Sequence, residues 1–147
     1  MTSKLQAAGF TEAQAAALLA VFVEKPVETV ENSWTFPNFE ESEFRCTCSG
    51  RGCDGFPVKP KLQLVEALQK VRTETGRAVV VTSGVRCDLR NSELPGSAAN
   101  SYHKKGRAAD FVVSGITAAN TISIIKRLKI PYIELYAIDG SAVHMAI

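Results

Sequence analysis

This 147-residue chain contains only two histidines, His103 and His144. The first lies in the run Ser101-Tyr102-His103-Lys104-Lys105-Gly106-Arg107-Ala108-Ala109-Asp110, the second in the apolar stretch Val143-His144-Met145. Two imidazoles and a carboxylate are a usual ligand set for a catalytic zinc, which takes three protein ligands and leaves the fourth position to water. His103, Asp110 and His144 are therefore candidate ligands of a mononuclear zinc site. The separation of His103 from Asp110 does not fit a single helical face of the His-x-x-x-His kind. It fits a loop that returns into a strand, with Ser101 hydrogen-bonding inside the turn and Gly106 taking a conformation that a Cβ would forbid.

Ser-x-His-x-x-Gly-x-Ala-x-Asp, followed much later by a lone His in a hydrophobic strand, resembles the zinc D-Ala-D-Ala carboxypeptidases and dipeptidases. Phage L-alanoyl-D-glutamate endopeptidases belong to the same group, and hedgehog signalling domains share its fold. The upstream Thr82-Ser83-Gly84-Val85-Arg86-Cys87 is similar to the family's Ser-Gly-Tyr-Arg segment, with Val85 in place of the aromatic. Family features run from about Phe39 to Ile147. The resemblance implies zinc-dependent hydrolysis of an amide bond in peptidoglycan stem peptides. Bound zinc would polarise the scissile carbonyl and bring the pKa of its water towards about 7. Arg86 is the candidate for holding a substrate carboxylate or the tetrahedral oxyanion, because a guanidinium fork suits both; its ordinary alternative is a structural salt bridge.

The general base is harder to assign. The family usually carries Glu or Asp three residues before the last zinc histidine, or His two before it; here those positions are Ser141 and Ala142. The family's frequent acid two residues after that histidine is replaced by Ala146. The nearest acids are Asp139 and Glu134. A two-residue Asp139-Gly140 turn would pair residues 137 and 135 with 142 and 144, which sets Glu134 on the sheet face opposite His144. Asp139 is left as the candidate, with turn formation as its ordinary role.

The elements that must position these groups read as α+β, a small antiparallel sheet with flanking helices. Residues 1–30 form an N-terminal helical segment. Thr11 and Gln14 make a capping box, Ala15, Leu18, Leu19 and Phe22 an apolar stripe, and Pro26 ends the helix. It is a docking helix on its own domain or, alternatively, a contact for virion proteins. Residues 31–147 form the peptidase-like domain. Its first part is loop-rich, with Trp34, Phe36, Phe39 and Phe44 pinning it to the core. A helix follows over 61–75, then a buried strand over 78–82, a long functional loop over 84–100 and a strand over 108–113. A second helix, capped by Thr117, runs to about Leu128 with Ile122, Ile125 and Leu128 inward. A hairpin turning at Asp139-Gly140 completes the domain.

Four cysteines, Cys46, Cys48, Cys53 and Cys87, leave three readings open. Reduced thiols are the default for a chain with no secretory leader. One or two disulfides, tying the glycine-rich loop to Cys87, come next. A four-thiolate zinc is the third, although the spacing is not a pair of Cys-x-x-Cys knuckles.

Apolar content of 46%, charged content of 22% and a net charge of +2 fit one globular domain. They suggest no nucleic-acid partner and no membrane surface. No stretch approaches the roughly 20 apolar residues of a membrane span, and the start of the sequence lacks a signal-peptide core. The expectation is a protein made in the cytoplasm, phage-encoded, that reaches the cell wall by other means or is carried in the virion. Its partner would be a peptidoglycan stem peptide. Rival readings are a catalytically weak zinc-binding structural or wall-binding module, and a cytosolic D,D-dipeptidase.

Overall fold

The computed structural model describes residues 34–147, so the expected N-terminal helix lies outside the described residues. The chain divides into two compact units, Met1–Thr35 and Phe36–Ile147, and every element below belongs to the second.

The sheet has four antiparallel strands, β1 (Val79–Ser83), β2 (Ala108–Val113), β3 (Glu134–Ala137) and β4 (Ala142–Ala146), in the order β1-β2-β4-β3. Alternation of side chains divides it into two faces. Phe111 and Val113 of β2 and Val143 and Met145 of β4 point one way and are at most 1% exposed. Two helices, α1 (Leu62–Thr75) and α3 (Ala118–Arg127), pack on the sheet. Asp110 and His144 are cross-strand partners on the opposite face.

The helix α1 forms where the 3.6-residue period predicts it, burying Leu64, Val65, Ala67, Leu68 and Val71. Gly76 ends it in the left-handed conformation, φ 65°, with its N–H bonded back to Arg72 O. Loss of a fully buried side chain such as Leu68, 0% exposed, costs about 2–5 kcal/mol on truncation to Ala. In α3 the Thr117 hydroxyl accepts from Asn120 N, as a helix cap should. Its inward face is Ala118, Thr121 and Ile125, whereas Ile122 and Leu128 are half-buried.

Phe39 and Phe44 are buried, their rings 6.1 Å apart, and anchor the irregular segment that precedes α1. Two expectations change. β1 is an edge strand with Val80 and Thr82 exposed, not a buried one. The segment 84–100 holds a short helix, α2 (Asp88–Glu93), capped by the Cys87 sulfur, which accepts from Arg90 N. A thiol is an unusual cap, so the residue types there do not signal a helix start.

Candidate active site

His103 sits in a one-turn 3-10 helix, Tyr102–Lys105, that leads into β2. The Ser101 hydroxyl caps this turn by accepting from His103 N at 3.2 Å. Gly106 closes it with φ 72°, and a Cβ there would stand 2.3 Å from Lys59 O, so no other residue fits. Asp110 comes from β2 and His144 from β4, directly opposite each other in the ladder. Three ligand candidates from three elements thus meet: His103 Nε2 lies 3.2 Å from Asp110 Oδ1 and 3.3 Å from His144 Nδ1, and His144 Nδ1 lies 2.8 Å from Asp110 Oδ1.

The outer nitrogens fix the tautomers. His103 Nδ1–H donates to Gly84 O at 2.8 Å, and His144 Nε2–H donates to Glu134 Oε1 at 2.9 Å. The inner nitrogens, His103 Nε2 and His144 Nδ1, therefore present lone pairs to each other and to a carboxylate oxygen. Donor atoms so turned inward suit a cation between them, whether a metal ion or a proton on His144. Zinc bonds to nitrogen and oxygen at about 2.0–2.2 Å, so a tetrahedral site has edges of roughly 3.3–3.6 Å, near two of the three separations. Such outer hydrogen bonds are also what orient metal-binding imidazoles. Burial works against charging His144, but the hydrogen bond and charge of Asp110, and then those of Glu134, raise its pKa above the ordinary value. Burial likewise opposes ionisation of Asp110, and its bonds to His103 and His144 overcome that and hold its carboxyl well below the usual range.

Arg86 holds the other carboxylate oxygen. Its Nη2 donates to Asp110 Oδ2 at 3.3 Å, Nε to Ser83 Oγ at 3.2 Å and Nη1 to Asn91 Oδ1 at 3.3 Å. A bulge in β1 between Val81 and Ser83 brings Ser83 opposite Asp110. Bulges beside active sites re-aim side chains in this way. Arg86 therefore reaches the site, and its immediate work is to fix Asp110.

Asp139 does not reach it. Its Oδ1 accepts from Ser141 N at 2.8 Å, from Ala142 N at 2.7 Å and from Ser141 Oγ at 3.2 Å. These bonds build the turn, and Asp139 does not line the cleft over the ligands. The expected catalytic part for Asp139 is replaced by turn formation.

Glu134 takes the opposite course. Ile138 N and Asp139 N both bond to Ala142 O, so the loop is one residue longer than a two-residue turn. The register becomes Glu134↔Ala146, Leu135↔Met145 and Tyr136↔His144. That shift of one turns Glu134 and Tyr136 onto the face of His144. The Tyr136 ring stacks on His144 at 4.6 Å between centroids. Asp139, Gly140 and Ser141 together were the signal for this longer loop.

The cleft over the three ligands measures about 630 Å³ and is lined by Arg86, Glu134 and Tyr136 on the sheet side and by residues 94–98 and Tyr102 opposite. A larger hollow of about 860 Å³, bordered by Lys61, Arg107 and Tyr132, holds no such ligand set, so chemistry goes with the smaller one.

Comparison with known proteins agrees with this geometry: residues 37–146 match the family described as Peptidase M15. The chain belongs to the peptidase M15 family. No curated protein and no solved structure matches it. M15 peptidases are zinc-dependent, and among the described residues His103, Asp110 and His144 form one of two groups whose donor atoms lie close enough to hold a metal ion. No helix among the described residues is long and apolar enough to cross a membrane.

Proposed function

We propose that this M15 domain is a zinc peptidase that hydrolyses an amide bond in peptidoglycan stem peptides, as a carboxypeptidase or an endopeptidase. The observation that carries the reading is Glu134. It supplies, from the neighbouring strand, the carboxylate missing at Ser141 and Ala142, and its side chain stays 43% exposed in the cleft while one oxygen is tied to His144.

The ion, when bound, supplies Lewis acidity and a water of lowered pKa. Glu134 orients the His144 ring through Nε2–H, and its exposed carboxylate is the acid we assign to accept a proton from an attacking water and return it to the leaving amine. Arg86 orients Asp110 and presents its remaining N–H groups to a carboxylate or an oxyanion. Tyr136 holds the His144 ring by stacking and offers a hydroxyl at the cleft. The rival reading is a zinc-holding structural or cell-wall-binding module, for example a virion component; it rests on Ser141 and Ala142, and the Glu134 carboxylate in the cleft favours the enzyme over it.

The test is digestion of purified peptidoglycan, with released fragments identified by mass spectrometry. Wild-type protein should release stem-peptide products and His103→Ala should release none. A zinc-loaded wild-type protein that cleaves nothing would favour the module instead.

A further inference from the structure

A second cluster of ligand atoms lies outside the cleft. Cys46, Cys48 and Cys53 come from the loop after the first 3-10 helix (Glu41–Phe44), and Cys87 from the segment beyond β1. Their four sulfurs all lie within 4.8 Å of one another. Cys48 Sγ is 3.5 Å from Cys53 Sγ, and Cys46 Sγ is 3.7 Å from Cys87 Sγ. A disulfide would require about 2.05 Å. Four sulfurs arranged tetrahedrally about zinc at about 2.3 Å stand roughly 3.8 Å apart, close to both distances.

The surrounding backbone is a second, independent observation. Each sulfur accepts one main-chain N–H: Gly52 N to Cys48 and Cys87 N to Cys46 at 3.4 Å, Gly55 N to Cys53 at 3.3 Å, and Arg90 N to Cys87 at 3.4 Å. A thiol is a weak acceptor with little call for such a partner, whereas a metal-bound thiolate gains from one. The loop is also shaped for close approach, since a Cβ on Gly52 would lie 2.7 Å from Cys87 Sγ. Three arginines brace the same loop. Arg45 donates to Asp54 O, Arg51 to Cys48 O and Arg90 to Thr47 Oγ1, while Arg51 and Arg90 are also paired with Glu93.

We propose that Cys46, Cys48, Cys53 and Cys87 bind a second, structural zinc ion with closed four-thiolate coordination. Zinc replaces the four thiol protons, with no change of oxidation state. The ion fastens a segment without helix or strand, residues 45–60, to residues 84–87. Those residues contribute the Gly84 carbonyl to His103 and the Arg86 guanidinium to Asp110. The second zinc thereby steadies the outer contacts of the first site.

The experiment counts metals by native mass spectrometry on protein produced in zinc-supplemented medium. Wild-type protein is expected to hold two zinc ions, and the His103→Ala/His144→Ala double variant is expected to keep one. That variant, reloaded with cobalt(II), should show an intense thiolate-to-cobalt charge-transfer absorption. In wild-type protein, a mercurial reagent should consume four thiols as one zinc ion is released. This last readout needs no cysteine variant to fold. The proposal is overturned by a double variant that holds no zinc and lacks the cobalt absorption. It is equally overturned by an intact mass showing disulfides, or by alkylation of all four thiols with no release of metal. None of these results depends on whether the domain cleaves peptidoglycan.

Discussion

His103 Nε2 and His144 Nδ1 face each other across 3.3 Å, each with its outer N–H committed to an oxygen acceptor, Gly84 O and Glu134 Oε1. Inner nitrogens this close suit a shared cation, and this relationship is the basis for the proposed metal centre. Chelation should therefore abolish activity and lower the melting temperature. A ligand present at 100 times its Kd stabilises by about 2.7 kcal/mol, which sets the scale of the loss. Calorimetry before and after zinc removal measures it, and His144→Ala should show no such difference for this ion.

Because the same pocket attracts a proton, metal and proton compete. Burial opposes the charge on His144, but Asp110 and Glu134 raise its pKa, so the protonated form persists to higher pH than an ordinary histidine would allow. Zinc affinity should fall steadily as pH is lowered through that range, with protons taken up on metal release. Isothermal titration in buffers of different ionisation enthalpy gives the proton count.

Replacing Glu134 by Gln keeps an oxygen for His144 Nε2–H but removes the base. Zinc content should be unchanged while kcat falls by about 10²–10⁴-fold. A loss confined to metal binding would assign Glu134 to holding His144 alone.

Arg86→Lys keeps the charge near Asp110 but loses the fork. If Arg86 also stabilises an oxyanion, kcat should drop by about 10²–10³-fold with zinc retained. If it holds a substrate carboxylate, KM should rise instead, and steady-state kinetics on a defined stem peptide separates the two.

Asp139 has a different signature. The N–H groups of Ala142 and then Ser141 lower its pKa below the ordinary carboxylate value. A group whose folded pKa is depressed contributes stability above its unfolded pKa, and this is lost as pH falls through the folded value. Asp139→Ala should therefore lower the melting temperature at neutral pH, with the gap to wild type narrowing in acid. Hydrolysis under conditions where both proteins are folded should be the same.

That His103 and Asp110 meet His144 was legible in the sequence because the motif around His103 carries its own turn chemistry, Ser101 as cap and Gly106 in the left-handed conformation. The strand ending that motif was equally clear, and so was α1 with its apolar period and terminal Gly76. Glu134 was not legible, because its face depends on one residue of loop length. Asp139 accepting from both Ser141 and Ala142 lengthens the turn, and a shift of one reverses every side chain. The meeting of Cys87 with the other three cysteines was one of the readings left open, and no local pattern could choose among them, since it follows from how β1 runs beside the loop.

Gly84 tests how closely that segment is fitted. A Cβ there would lie 2.4 Å from Phe44 O, so Gly84→Ala must push main chain apart. Overpacking of this kind costs about 1–3 kcal/mol, measurable by urea unfolding. The same displacement would misplace the carbonyl that orients His103, so zinc affinity should fall with stability.

The strand order has a consequence for synthesis. β4 enters between β2 and β3 although it follows both in sequence, so the sheet is open down its middle until residues 142–146 are available. A nascent chain that has emerged only as far as β3 has His103 and Asp110 but neither the third ligand nor the strand that joins the two halves. The three candidate ligands therefore meet only once this last strand is inserted, and a chain that stops before His144 should bind no zinc at this site.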